Sequence, residues 1–312
     1  MVIPVFRGAG TLGELCDRLV ATLSKLEGGF EIIFVDDGSR DESWQQIRRI
    51  AAREPRVLGL HLTRNFGQHN ATLCGIRHAR GELILTLDED LQHPPEEIPK
   101  LIRQRAKSGS DVVYGIPEAR RHSWWRRLGS RLVMLIPRLA TGGRFDLSSF
   151  RIIRAPIAAE VAKSLRHDIV LDVYFSWISD RIESVRVEHH EAARGSSYSL
   201  FGLLRMLLSI LYNYTVFPLR ISTVLGGVIS LVSLVLAAYY FIVKLVYGPS
   251  VEPGFSALIV SILFSTGVIL LAIGIVSEYL ARTFLHVIRK PQSVVRETTA
   301  EPQTMEPQDE ER

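Results

Sequence analysis

Through the first half of the chain, short apolar runs alternate with longer stretches whose apolar positions recur every three to four residues. Alternation of that kind predicts βαβ units. The predicted strands are Val2–Val5, Glu31–Val35, Val57–Leu62, Leu83–Leu87 and Asp111–Tyr114, and the predicted helices are Leu12–Lys25, Asp41–Arg53, Gln68–Ala79 and Glu96–Lys107. Asp41 is placed to cap the second helix, and Pro94-Pro95 suits a first helical turn. Right-handed crossovers put such strands into a largely parallel sheet, with ligand loops at the strands' carboxyl ends. Helical spacing continues over Ser123–Ala140 and Ala155–Arg166.

The pattern then changes. Ile221–Val243 and Phe255–Ser277 each run 23 residues without a charge, long enough at ~1.5 Å per residue to span ~30 Å of hydrocarbon. The connector at Gly248–Gly254 carries two prolines and no Lys or Arg, whereas Arg205 and Arg220 precede the first span and Arg282, Arg289 and Lys290 follow the second. The positive-inside rule puts both flanks in the cytosol. Residues 200–220, interrupted by Arg205, read as an amphipathic interfacial helix. The expected plan is a cytosolic domain over 1–199, a juxtamembrane helix over 200–220, spans over 221–247 and 255–280, and a polar, disordered tail over 291–312.

Composition explains the mean hydropathy of +0.15 in a chain with 22% charged residues: apolar and charged positions are segregated. The net charge of +4 is also uneven, since Glu297–Arg312 holds six acids and one base, leaving +9 elsewhere. A basic body beside apolar spans points to anionic head groups or a phosphorylated substrate, and no nucleic-acid module accompanies the charge. The chain opens on a strand-like run rather than a cleavable signal. Cys16 and Cys74 lie far apart without a CxxC pattern and read as packing residues in a reducing compartment.

Two acidic clusters follow predicted strands. Leu83–Leu87 runs into Asp88-Glu89-Asp90, and in extended chain Asp88 and Asp90 share a side while Glu89 faces away. Paired carboxylates there suit a hard divalent cation, Mg²⁺ or Mn²⁺, that also holds diphosphate oxygens. Asp36-Asp37, before Gly38-Ser39, ends the second strand, where a carboxylate is placed to accept from a nucleobase or ribose. His69, His93, His189 and His190 match no zinc spacing, and Ser148-Ser149 lacks the context of a nucleophile elbow.

VIPVF, VDDGS at 35–39, RNFGQ at 64–68, GIRHARGE at 75–82 and DEDLQHPPEEIP at 88–99 together resemble family 2 glycosyltransferases of the GT-A fold. With two C-terminal spans, and with ISDRIE, RGSSYSLFGLLRM and EYLAR, the chain resembles the polyprenyl-phosphate glycosyltransferases over about Val2–Phe284. The resemblance implies an inverting enzyme that moves a sugar from a nucleotide donor, UDP by expectation, to undecaprenyl or another polyprenyl phosphate at the cytosolic face of the inner membrane. It assigns Pro4, Asp36, Asp37, Arg64 and Asp88 to the nucleotide and Asp88 and Asp90 to the metal. Asp146, Asp90 and Gln92 go to catalysis, and Arg151, Arg194 and Arg205 to the lipid phosphate. Relatives place an acidic residue at the Asp146 region, some have a second Asp where Ser149 stands, and many have Lys where Ser197 stands. A homo-oligomer is also implied, with a tetramer one form it can take. The alternatives are a processive polysaccharide synthase, disfavoured by the missing QxxRW, and a nucleotide-sugar-binding scaffold or sensor without turnover.

Overall fold

The computed structural model describes residues 1–117, 148–164, 170–190, 255–287 and 291–300, together with helical positions among 221–246. The chain divides into two compact units, Met1–Tyr198 with Arg289–Arg312, and Ser199–Ile288.

The first unit is built on an eight-stranded sheet: β1 (Val2–Val5), β2 (Ile32–Asp36), β3 (Val57–Leu62), β4 (Leu83–Thr86), β5 (Val112–Pro117), β6 (Arg151–Arg154), β7 (Ile182–Val187) and β8 (Val295–Thr298), in the order β7-β5-β6-β4-β1-β2-β3-β8. The pairs β1–β2, β2–β3, β1–β4 and β5–β7 are parallel. Around β6 and at β8 the pairing is antiparallel. The sheet is thus mixed rather than wholly parallel, because β6 runs back between β4 and β5.

Side chains alternate across the sheet as period two requires. Ile3, Val5, Ile32 and Phe34 join one core, and Val2, Ile33 and Val35 join the other. On the first face lie α1 (Leu12–Leu23), α2 (Ser43–Arg53) and α4 (Ile98–Ser108), whose buried positions Leu12, Leu15, Cys16 and Leu19, Trp44, Ile47 and Ile50, and Ile98 and Leu101 form helical stripes. The second face is covered by α3 (Gln68–His78), α5 (Ala155–Ala162) and α6 (Leu171–Ile178). The N-cap of α2 is Glu42 rather than Asp41, which stands one residue earlier and accepts from the Ser43 backbone N–H at 3.2 Å and the Ser43 hydroxyl at 2.6 Å. Cys16 and Cys74 are free and buried.

One expectation is overturned. Residues 291–300 belong to the globular unit, and β8 pairs antiparallel with the edge of β3. The reason is an unfilled edge: β3 has buried side chains on both faces and would otherwise leave its outer ladder unpaired. The Thr63 N–H donates to the Val294 carbonyl at 2.9 Å, and the Gly59 N–H donates to Thr299 Oγ1 at 2.8 Å. Trp44 Nε1 donates to Glu297 Oε2 at 2.8 Å.

In the second unit, α7 (Phe255–Val287) is 33 residues long. Its stretch Phe264–Ala281 has a mean hydropathy of 1.8, is unburied within the protein, and is one helix long and apolar enough to cross a membrane among the described residues. Residues 221–226 are also helical, and Val224, Leu225, Val228, Leu231 and Val235 are exposed. The helical expectation for Ser123–Ala140, the juxtamembrane segment 200–220, the connector and residues 301–312 lie outside the described residues.

Candidate active site

The site is built where strands β1 and β4 part. They pair only at Val2 and Thr86, with the Leu87 N–H donating to the Val2 carbonyl at 3.3 Å. Val5, by contrast, accepts from Asp37 on the β2 side at 2.9 Å. Alternation turns Pro4 toward the β4 side, beyond the end of that strand, so a residue without an N–H removes no ladder bond there. Pro4 and Asp88 line a cavity of about 270 Å³ that opens at this divergence, bounded also by Gln68, His69 and Thr72 of α3 and by Thr86, Ser149, Arg151 and Asp172.

Strand β4 stops at Thr86, so Asp88, Glu89 and Asp90 stand on a turn rather than on extended chain. Asp88 and Glu89 still diverge as expected. Asp88 is half-buried, accepting from Gln68 Nε2 at 2.6 Å and from Ser149 Oγ at 2.6 Å. Glu89 turns the other way and accepts from the Phe6 N–H at 3.3 Å. A Cβ on Gly8 would come within 2.7 Å of Glu89 Cγ, so glycine lets the β1–α1 loop close over that side chain. Asp90 is exposed; both its oxygens are taken by Gln92, through the backbone N–H at 3.1 Å and through Nε2. The chain turns back on itself there because Leu91 adopts a left-handed φ of 59°, a conformation rarely held by a branched residue.

Electrostatics in this turn are set by burial. Burial pushes the Asp88 carboxyl above its ordinary range; the Ser149 hydroxyl opposes this, the Asp90 charge adds to it, and Arg151 and Gln68 oppose it. A divalent cation relieves the conflict between burial, like charge and ionisation. The two carboxylates therefore fit an ion that keeps waters and draws its other oxygens from a ligand. Among the described residues no group of three or more His, Cys, Asp or Glu is arranged to hold a metal by itself.

The second acidic pair is used inside the fold. Asp36, fully buried, pairs with His61 Nδ1 at 2.7 Å, and His61 stacks on Trp44 with ring centroids 5.1 Å apart. Asp37 accepts from the Phe66 and Gly67 N–H groups at 2.7 and 2.9 Å. Burial pushes its carboxyl up, against those two bonds. Both acids thus shape the loops at the carboxyl ends of β2 and β3. Gly38, at φ 66°, is required there, since a Cβ would lie 2.4 Å from the Arg64 carbonyl carbon. Arg64 itself is exposed and lies over the Phe66 ring at 4.8 Å.

Arg151, expected to hold a lipid phosphate, is 2% exposed on β6 and forms an ion pair with Asp172 of α6. Asp172 Oδ1 also accepts from the Tyr114 hydroxyl at 2.9 Å. The geometry puts Arg151 in the cavity wall, with its charge paired to Asp172. Asp146, Arg194 and Arg205 lie outside the described residues. Gln68, Ser149 and Asp172 were missed as site residues. RNFGQ signalled the first and the Asp that some relatives carry at position 149 signalled the second, but pairing of Asp172 with distant Arg151 and Tyr114 leaves no local mark.

The DLQH turn is also buttressed. The His190 N–H donates to the Gln92 carbonyl at 2.8 Å, and His93 packs against Phe150 and His189 with centroids 5.3 and 4.7 Å away.

Residues 1–196 match the model for "Glycosyl transferase family 2". Undecaprenyl-phosphate 4-deoxy-4-formamido-L-arabinose transferase of Pseudomonas paraeruginosa (strain DSM 24068 / PA7) is 36% identical over 297 residues, covering 94% of this chain and 87% of that protein. The transferase of the same name from Edwardsiella ictaluri (strain 93-146) is 34% identical over 309 residues, covering 95% and 94%. Among solved structures, glucosyl-3-phosphoglycerate synthase from Mycobacterium tuberculosis, in complex with Mn²⁺, uridine diphosphate and glucosyl-3-phosphoglycerate, aligns with TM-score 0.48 at 16% identity, covering 68% of this chain and 78% of that one.

Proposed function

The chain belongs to glycosyl transferase family 2, and on that premise we propose that it transfers a sugar from a nucleotide donor, UDP-linked, to undecaprenyl phosphate at the cytosolic face of the membrane. It is a glycosyltransferase with a polyprenyl-phosphate acceptor. The observation that carries the proposal is the half-buried Asp88, set with Asp90 where β1 and β4 part at the carboxyl edge of the sheet. Likeness to the lipid-phosphate transferases also runs through the helical unit, since the matched lengths cover more than nine-tenths of the chain.

The nucleoside meets the rim made by the loops after β1, β2 and β3, with Pro4 and Arg64 against it and Asp36 and Asp37 holding its shape. Asp88 and Asp90 hold Mg²⁺ or Mn²⁺, which when bound neutralises the diphosphate of the donor. Gln92, fixed on Asp90, faces the sugar. The acceptor is a phosphate monoester with a second pKa of ~6, mostly dianionic at pH 7, so it attacks without needing a strong base. A phosphate oxygen bonds to the anomeric carbon as the bond to the diphosphate breaks, and the configuration inverts. Asp146 orients the incoming group, while Arg194 and Arg205 bring that anion up to an anionic donor. The Arg151 charge is matched by Asp172, which leaves it to the cavity.

Chain connectivity supports two spans rather than one. Both ends of Ser199–Ile288 run into a single globular unit, whose last strand is β8. One folded unit stands on one side of a bilayer, so the chain between must cross an even number of times; α7 supplies one crossing and residues 221–247 the other.

The test is transfer by full-length protein given radiolabelled UDP-sugars, Mg²⁺ and undecaprenyl phosphate. A monomeric lipid-linked sugar is expected; polymer would point to a processive synthase, and binding without product to a scaffold. Asp90→Ala should lower transfer by two to three orders of magnitude and leave membrane insertion intact. Retained activity would remove the metal assignment.

A further inference from the structure

The cavity beneath Asp88 holds more hydrogen-bonding capacity than the fold uses. Arg151 is 2% exposed, yet its Nε has no partner. Its pairing with Asp172 and that of Tyr114 both fall on Asp172 Oδ1. No bond to the other oxygen, Oδ2, occurs among the described residues. His69, the second residue of α3, lines the same cavity, and its ring makes no hydrogen bond among the described residues. Burial depresses its basicity, with Asp172 opposing and Arg151 assisting, so the ring is a neutral donor and acceptor at pH 7. Tyr114 belongs to the second core and Arg151 lies over its Phe175 ring at 5.2 Å, whereas the His69 ring stands outside both apolar clusters.

Buried polar groups left open are costly unless a partner arrives. The cavity, about 270 Å³, lies just under the ~300 Å³ at which small-molecule sites begin, a size that suits one sugar ring. Its contents are mixed: an arginine donor, a carboxylate acceptor and an imidazole that does either. A diphosphate would want cations alone, and a lipid chain would want apolar walls. Hydroxyls and amides around a ring want alternating donors and acceptors. Asp88 stands at the mouth, where the donor's diphosphate is held under the preceding reading.

We infer that this cavity is the pocket that reads the donor sugar, with His69 and Asp172 as its specificity-determining residues and Arg151 as a further donor. The inference rests on the nucleotide-sugar reading above and adds the residues that choose among sugars. A pocket built to hydrogen-bond a hydroxyl discriminates strongly against a sugar lacking it.

The experiment compares the affinities of UDP and of UDP-glucose, UDP-galactose, UDP-xylose and UDP-arabinose for the full-length protein in detergent with Mn²⁺. It uses the native chain, His69→Phe and His69→Gln, each checked for unchanged thermal unfolding. For the best-bound sugar, His69→Phe should weaken the UDP-sugar at least tenfold and UDP less than twofold, and His69→Gln should restore part of the loss. The order of preference among the four sugars should also change in His69→Phe. Equal losses for UDP and UDP-sugar, or no loss for either, would overturn the inference while leaving the transferase reading standing. Failure of the native chain to bind UDP or any of the four would instead overturn the UDP-sugar reading itself, and the pocket assignment with it. Should His69→Phe unfold, Thr72→Val, on the next turn of α3 and 3% exposed on the cavity, takes its place with the same expected split.

Discussion

Replacing Arg151 with Met tests whether this arginine is part of the wall or a free ligand for phosphate. Arg151 is 2% exposed and Asp172 9%, and Asp172 has Arg151 as its ion-pair partner. Removing the guanidinium strands a buried carboxylate, a change that costs about 3–5 kcal/mol. For a unit of this size each kcal/mol moves the midpoint by about 2–4 °C, so Arg151→Met should unfold about 6–20 °C below the native chain. Adding Asp172→Leu removes the stranded charge and should recover more than half of the loss. It leaves the Tyr114 hydroxyl, which donates to Asp172 at 2.9 Å, without an acceptor. The remainder, about 1–3 kcal/mol for a buried unpaired group, should return only with Tyr114→Phe. The assay is thermal unfolding of the detergent-solubilised protein by intrinsic fluorescence, at fixed protein and without nucleotide. An arginine waiting for lipid phosphate would behave oppositely: its loss would cost transfer and leave the midpoint in place. A shift of less than about 2 °C in Arg151→Met would therefore refute the ion-pair account and return Arg151 to the acceptor.

Ser149→Ala deletes a hydrogen bond to Asp88, worth about 1.5–3 kcal/mol for a charged acceptor. Steady-state assays should show roughly ten- to hundredfold lower kcat/KM, with the metal concentration giving half-maximal rate also raised. His93 is 8% exposed, and burial and then His189 depress its pKa to about 4, with Asp90 opposing. Its unfolded value is the higher one, so the stability it contributes is complete above pH ~6.5 and lost as pH falls toward 4. Unfolding midpoints measured over that window should decline less in His93→Leu than in the native chain, and parallel curves would dismiss the assignment. Ending the chain after Lys290 strips β8 from β3 and removes the Trp44–Glu297 bond, and should lower the midpoint by several degrees. Ending it after Ala300 should change it by less than about 1 °C, as removing residues beyond the last ladder bond costs little.

Most of the first unit was legible because its strands and helices satisfy local rules. The expected Val2–Val5 and Val57–Leu62 agree with the observed strands at both ends, and Gln68–His78 differs from expectation by one residue. What escaped was chain whose partner is distant. Strand β6 reads as four residues, Arg151–Arg154, with a charge at each end, and becomes a strand only because β4 and β5 flank it. Strand β8 is a polar VRET run with four exposed residues, and its signal lies in the edge of β3, more than two hundred positions earlier.

The site follows the same division, with a consequence for how acidic motifs should be read. Asp88 and Asp90 stand out in sequence because a buried strand runs into them, and the expected divergence from Glu89 survives although β4 ends two residues earlier. Asp36 and Asp37 looked equivalent by the same local criterion. They differ in what surrounds them: His61 and the Phe66 and Gly67 N–H groups satisfy Asp36 and Asp37 within the fold. Asp88 accepts one side-chain bond on each oxygen and is half-buried where Asp37 is 2% exposed, so its oxygens keep lone pairs open to a cation. An acidic residue at a strand end is therefore a ligand candidate to the degree that its oxygens remain exchangeable. That property depends on Gln68 of α3, 20 residues before Asp88, and on Ser149 in the turn before β6, 61 residues after it.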